Sequence, residues 1–171
     1  MKKKFFLFFL FLLNFNYLNA DDGVYFLDVD YILKNSDSGK IVVNKLQNLD
    51  SENISIFKNA EKEIKLLEDE ITKVKNIVSN EELNKKLNNL KKKVVIFRED
   101  KKRKLSEYND FKKNELENYF MRISPVVEEF MKLKSIKIII DRKNIFIADS
   151  NYDITNELIK FLNEKINWWY H

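Results

Sequence analysis

The sequence predicts an α+β fold in which a small β-containing body, closed by association of several copies, carries a long antiparallel helical-hairpin (coiled-coil) arm. Three observations predict it. Of the 171 residues 34% are charged, and only two are Gly and one Pro, a composition that favours long helices over a turn-rich chain. Two consecutive stretches repeat apolar residues at steps of three and four on otherwise charged sequence. Short runs rich in β-branched and aromatic residues flank that helical region, "VYFLDVD" before it and "SIKIIIDRKNIFIADSNYDITNELIKF" after it.

Residues 1–20, "MKKKFFLFFLFLLNFNYLNA", combine three lysines, an apolar run from Phe5 to Leu13 and Ala20 before Asp21. That is the layout of a secretory signal peptide, with cleavage expected after Ala20. The apolar run falls short of the roughly 20 residues needed to span a bilayer, so export is expected rather than retention on a membrane anchor. Without Lys2, Lys3 and Lys4 the excess of basic over acidic residues drops from four to one, so the basicity of the whole chain belongs mostly to the leader. The chain has no cysteine. An exported protein without disulfides must stabilise a small core by helix packing or by association.

The body is assigned to residues 21–40 and 124–171, and the arm to residues 41–123 with its tip near 78–80. Val24 to Asp30 reads as a strand with Tyr25, Leu27 and Val29 on one face and Val24 and Phe26 on the other, apolar on both and so covered on both. The first arm helix carries the seam Leu46, Leu49, Asn53, Ile56, Ala60, Ile64, Leu67, Ile71, Val74 and Val78. Ser79, three residues before Glu82, reads as the cap of a second helix. That helix carries Leu83, Leu87, Leu90, Val94, Phe97, Leu105, Tyr108, Phe111, Leu116, Phe120, Ile123 and Val127. The short turn between them makes the two helices antiparallel.

Pro125 is expected to kink the second helix or to start a new segment near Ser124. A hairpin is expected to follow, Ile136 to Ile140 and Ile145 to Ala148 about a turn at "DRKN", pairing with the Val24 strand; a last amphipathic helix carries Ile154, Leu158, Phe161, Leu162 and Ile166. With fewer than about 70 residues the body is marginal as a single core. Val24, Phe26, Ile136, Ile138, Ile140, Ile145 and Ile147 are therefore expected in a core shared between symmetric copies.

These residues resemble the Skp/OmpH family of periplasmic chaperones. In "LDVDYILKNSDSGKIVVNKL" the residues Asp28, Val29, Ile32, Leu33, Ser36, Gly39 and Lys40 fall where that family has a strand, a short helix and a Gly-Lys lead-in to its arm. The closing segment, with Asp153, Ile154 and Thr155 at its helix start, and Pro125 match as well. The arm matches only as a helical pattern, and it is poor in alanine, with Ala60 alone inside it. The resemblance implies a homotrimer with a barrel-like body and three helical tentacles around a cavity. It also implies an ATP-independent periplasmic holdase whose partners are unfolded outer-membrane proteins.

Ten basic residues, Lys85, Lys86, Lys91, Lys92, Lys93, Arg98, Lys101, Lys102, Arg103 and Lys104, face only Glu99 and Asp100 within one stretch of the arm. A charge run is ordinarily a solvated face, but a like-charged cluster on a projecting arm attracts anionic partners. These ten, with the apolar Val95 and Ile96, are the expected client-binding residues. Anionic lipopolysaccharide or a membrane surface is a second candidate partner, and nucleic acid is a poor one for an exported chain. Trp168 and Trp169 are aromatics of the kind found at membrane interfaces and binding surfaces, and read first as packing on the body. The only His is His171, no cysteine or metal-ligand spacing occurs, and two glycines cannot write a phosphate loop. No catalytic residue, metal or cofactor is expected. The competing reading is a structural coiled-coil spacer of the cell envelope.

Overall fold

The computed structural model describes residues 23–166; the leader peptide and the tryptophan pair lie outside the described residues. The chain is mostly helical. Strand β1 (Val24–Leu27) leads into helix α1 (Val29–Asn35), helix α2 (Asp37–Val74) and helix α3 (Asn80–Leu133). Strand β2 (Ile138–Asp141), two 3-10 turns (Arg142–Asn144 and Ser150–Tyr152) and helix α4 (Thr155–Ile166) complete it.

The strand at Val24 is shorter than its apolar run suggests. Asp28 ends it by turning its carboxylate onto the backbone N–H of Tyr31 at 2.8 Å, an N-cap that starts α1. β1 pairs with β2 in parallel, Val24 opposite Ile138 and Phe26 opposite Ile140, so segments more than 100 residues apart form one sheet. The expected hairpin does not form. Asp141 accepts from the Lys143 backbone N–H at 3.2 Å and holds the Lys143 ammonium at 2.8 Å, curling the chain into a 3-10 turn instead of a return strand. The other edge of β1 is taken by Asp153 and Ile154, whose N–H donates to the Phe26 carbonyl at 3.0 Å. Among the described residues Ile145–Ala148 pairs with neither strand, and the outer edge of β2, where a return strand would lie, has no strand beside it.

The core lies where α1, the base of α2, the end of α3 and α4 meet, around Ile32, Val42, Tyr119, Phe130, Leu158 and Leu162. A polar knot pins it. Ser36 caps α2 by accepting from the Gly39 N–H at 3.1 Å, and its hydroxyl meets the Tyr119 hydroxyl at 3.0 Å. Burial pushes the Tyr119 phenol up, the Ser36 and Ser38 hydroxyls acting the other way. Thr155 ties the two ends of the body together: its hydroxyl accepts from the Asp28 N–H at 2.9 Å while its backbone N–H donates to the Asp153 carboxylate at 2.9 Å.

α2 and α3 run side by side and antiparallel, as the cross-helix ion pairs Lys45–Glu115, Lys93–Glu63 and Lys86–Glu70 require. At 1.5 Å per residue the 38 residues of α2 extend about 57 Å. Ser79 caps α3 by accepting from the Glu82 N–H at 3.3 Å, after a turn over residues 75–79. The seam differs from the apolar pattern in three places. Phe57 replaces Ile56, which is exposed; Leu87 and Leu105 stand on the exposed edge; and Lys86, Lys101 and Lys104 take half-buried positions. The physical reason is spacing: Phe97 and Tyr108 lie eleven residues apart, so steps of four, three and four set positions 101 and 104, not 105, against α2.

Phe120 is likewise exposed, whereas Tyr119 beside it is buried. Pro125 neither breaks α3 nor starts a new helix, since α3 continues to Leu133. A proline removes one N–H, here the helical partner of the Met121 carbonyl, and Met121 is strongly exposed. The Ser124 hydroxyl, one residue before, donates to the Phe120 carbonyl at 2.7 Å.

Candidate functional site

The ten basic residues between Lys85 and Lys104 stand in two different states. Five are engaged. Lys86 reaches Glu70 at 2.7 Å, Lys93 reaches Glu63 at 3.2 Å and Lys101 reaches Glu61 at 3.4 Å, each bridging α3 to α2. Lys85 pairs with Glu81 at 2.7 Å, and Arg103 pairs with Asp100 at 2.8 Å and Glu107 at 3.0 Å, all within α3. The Lys86 ammonium holds the Glu70 carboxyl below the usual carboxylate range through their hydrogen bond, and Lys86 is itself raised by the same contact. Lys101 is the most constrained: its ammonium lies 5.4 Å from the ring centres of both Phe57 and Phe97. Those rings meet edge to face at 6.4 Å, so the cation closes an aromatic layer in mid-arm.

The other five basic residues, Lys91, Lys92, Arg98, Lys102 and Lys104, form no ion pair among the described residues. Lys104 differs from the rest in lining a groove of about 280 Å³ between the helices, together with Ile56, Phe57, Ile96 and Phe97. Val95 and Ile96 are exposed at 45% and 57%. They share a shallow depression with Lys91 and Lys92.

A second apolar surface lies on the body. Of the residues expected in a shared core, Phe26 and Ile136 are already buried within the single chain and Ile145 is half-buried. Val24, Ile138, Ile140 and Ile147 are exposed, and Phe146, which the sequence pattern does not single out, is fully exposed. Arg142 pairs with Asp153 at 3.6 Å behind this segment, in a groove of about 310 Å³ that Phe26, Phe146 and Ile147 also line. At the arm tip Ile77 is 80% exposed, as its place beside the Ser79 cap would suggest.

Among the described residues no group of three or more His, Cys, Asp or Glu side chains is arranged to hold a metal. Among the same residues no helix is long and apolar enough to cross a membrane. The arrangement offers cations, apolar side chains and long lever arms, which suit binding.

The family described as "Outer membrane protein (OmpH-like)" matches residues 23–162. A crystal structure from Caulobacter crescentus CB15, provisionally described as an outer membrane chaperone (OmpH-like), superposes with a TM-score of 0.71. It is 14% identical, and the match covers 84% of this chain and 85% of that one. At that identity the likeness is one of fold. No curated protein matches the chain.

Proposed function

The chain belongs to the OmpH-like outer membrane protein family, and from that membership we propose that it is an ATP-independent holdase of the periplasm that keeps unfolded outer-membrane proteins from aggregating in transit. The observation that carries this reading is the paired α2–α3 arm, which holds unpaired cations and exposed apolar side chains on one limb, while its two helices are stapled to each other by separate residues. Weak contacts of both kinds suit a partner with no fixed shape. Several arms around one client convert such contacts into retention through effective concentration.

The working form is a homotrimer whose body is closed by copies of the same chain. The exposed Val24, Ile138, Ile140, Phe146 and Ile147 support this, because large apolar side chains left exposed on a small sheet and the segment after it favour burial against a symmetric copy. The arm, residues 41–123, then projects from a body made of residues 21–40 and 124–171. Export depends on the leader at residues 1–20. Anionic lipopolysaccharide or an anionic membrane surface is the second partner these charges suit. OmpH-like chaperones are not enzymes, and binding here is passive.

The test uses the chain without its leader. In solution its mass should equal three copies; a stable monomer at micromolar concentration refutes the assembly. Added at near-stoichiometric ratio without nucleotide, it should keep a denatured outer-membrane barrel soluble. Raising salt from about 50 to 500 mM should weaken retention roughly tenfold, since exposed charges are screened beyond a few ångströms at high ionic strength. Retention indifferent to salt removes the electrostatic part, and failure to suppress aggregation favours an envelope spacer.

A further inference from the structure

We infer that seven of the basic residues between Lys85 and Lys104 fall into two sets with different roles. Lys91, Lys92, Arg98 and Lys102, with Val95 and Ile96, form the client-contact stripe, while Lys86, Lys93 and Lys101 are spent joining the two arm helices. The inference rests on the holdase reading and sharpens it to particular side chains and a particular client chemistry.

Helical geometry separates the two sets. Lys91, Val95, Arg98 and Lys102 follow at steps of four, three and four, so they share one face. The residues turned toward α2, Leu90, Val94, Phe97 and Lys101, are half-buried and follow the same steps one position earlier. Lys92 and Ile96 lie beside the outer face and close the depression with Lys91 and Val95. An ammonium already 2.7 to 3.4 Å from a carboxylate presents a near-neutral pair to an incoming chain. Attracting an anion to it requires breaking that pair. An ammonium or guanidinium without a carboxylate keeps its full charge and its donors for a partner.

The stripe also states what it takes. From Lys91 to Lys102 it runs about 16 Å, the reach of about five residues of extended polypeptide. Apolar Val95 lies between cationic Lys91 and Arg98, with Ile96 alongside. A matching partner is an extended segment bearing acidic and apolar side chains on one face. In an extended chain that means carboxylates two residues either side of an apolar residue, because alternate side chains share a face.

The test titrates a fluorescein-labelled unfolded peptide that alternates Asp, Leu and Asp with Thr into the leaderless chain, reading anisotropy, with circular dichroism melts on each variant. Replacing the free set (Lys91→Gln, Arg98→Gln, Lys102→Gln) should weaken binding about tenfold or more and flatten its salt dependence, with the melt unchanged. Neutralising the engaged pairs together (Lys86→Gln with Glu70→Gln, Lys93→Gln with Glu63→Gln, Lys101→Gln with Glu61→Gln) leaves net charge alone. It should lower the melt by a few degrees and keep affinity within about twofold. A third variant removes three body lysines that form no ion pair among the described residues, Lys34→Gln, Lys132→Gln and Lys160→Gln, and should also stay within about twofold.

Equal losses in the free-set and body-lysine variants overturn the inference in favour of a diffuse field. Equal losses in the free-set and paired variants overturn the separation of roles. Binding of lipopolysaccharide without binding of the peptide overturns the polypeptide as occupant. Because the barrel-solubility assay runs on the unmodified chain, its failure marks the holdase reading as wrong, whereas a failed split among the variants marks only the stripe.

Discussion

Replacing Gly39 with alanine should destabilise the body by about 3 kcal/mol or more, although glycine to alanine inside a helix ordinarily gains up to about 1 kcal/mol. Geometry reverses the sign. A Cβ at position 39 would stand 2.1 Å from the Leu33 carbonyl oxygen, 2.7 Å from its carbon and 2.8 Å from Ser36 Oγ. Two of these are backbone atoms of the preceding helix and cannot swing aside. Relief requires α1 to move off α2, which pulls Ser36 from both the Gly39 N–H and the Tyr119 hydroxyl. Urea denaturation checks this: a midpoint as high as that of the unaltered chain would show that the α1–α2 junction yields cheaply.

Phe130→Ala should cost about 3 to 5 kcal/mol, the usual range for emptying a fully packed aromatic site. Phe130 is 2% exposed, and its ring lies 5.3 Å from that of Phe161. It is where the last turns of α3 hold α4, beside Leu158 and Leu162 at 1% and 0% exposure. A body this small holds little reserve, so the urea midpoint should fall by about 1 M or more. Phe130→Leu, which keeps most of the volume, should recover much of the loss. If alanine and leucine behave alike at this site, the α3–α4 contact is looser than its burial implies.

The arm is legible in the sequence because its signal is redundant: the seam positions on α2 and the Ser79 cap agree with one another. Where the apolar pattern misleads, it does so because it weighs only apolar residues. Lysines at 101 and 104 belong to the seam by spacing, yet they carry no hydrophobic signal, so Leu105 takes the place of position 104 in the apolar pattern. Which lysines are engaged is beyond reach in principle, since pairs such as Lys93 with Glu63 depend on the register of two helices, set by packing and not by local sequence. In the body, the partner of Val24 is legible as the remaining apolar run. The fate of Ile145–Ala148 is not, because whether a short apolar run returns as a strand depends on the turn before it, and here Asp141 holds the Lys143 N–H and ammonium and curls the chain into a 3-10 turn.

The central place of β1 dictates an order of events in folding. Its two neighbours, residues 138–141 and 153–154, come more than 110 residues later, so closing the sheet waits on the most distant contacts in the chain. The helices between them need only each other and a five-residue turn. A chain emerging from its N-terminal end can therefore zip its long limb first, carrying Val24–Leu27 as a bare edge until the last fifth of the sequence arrives; on the proposed assembly, copies meet only after that.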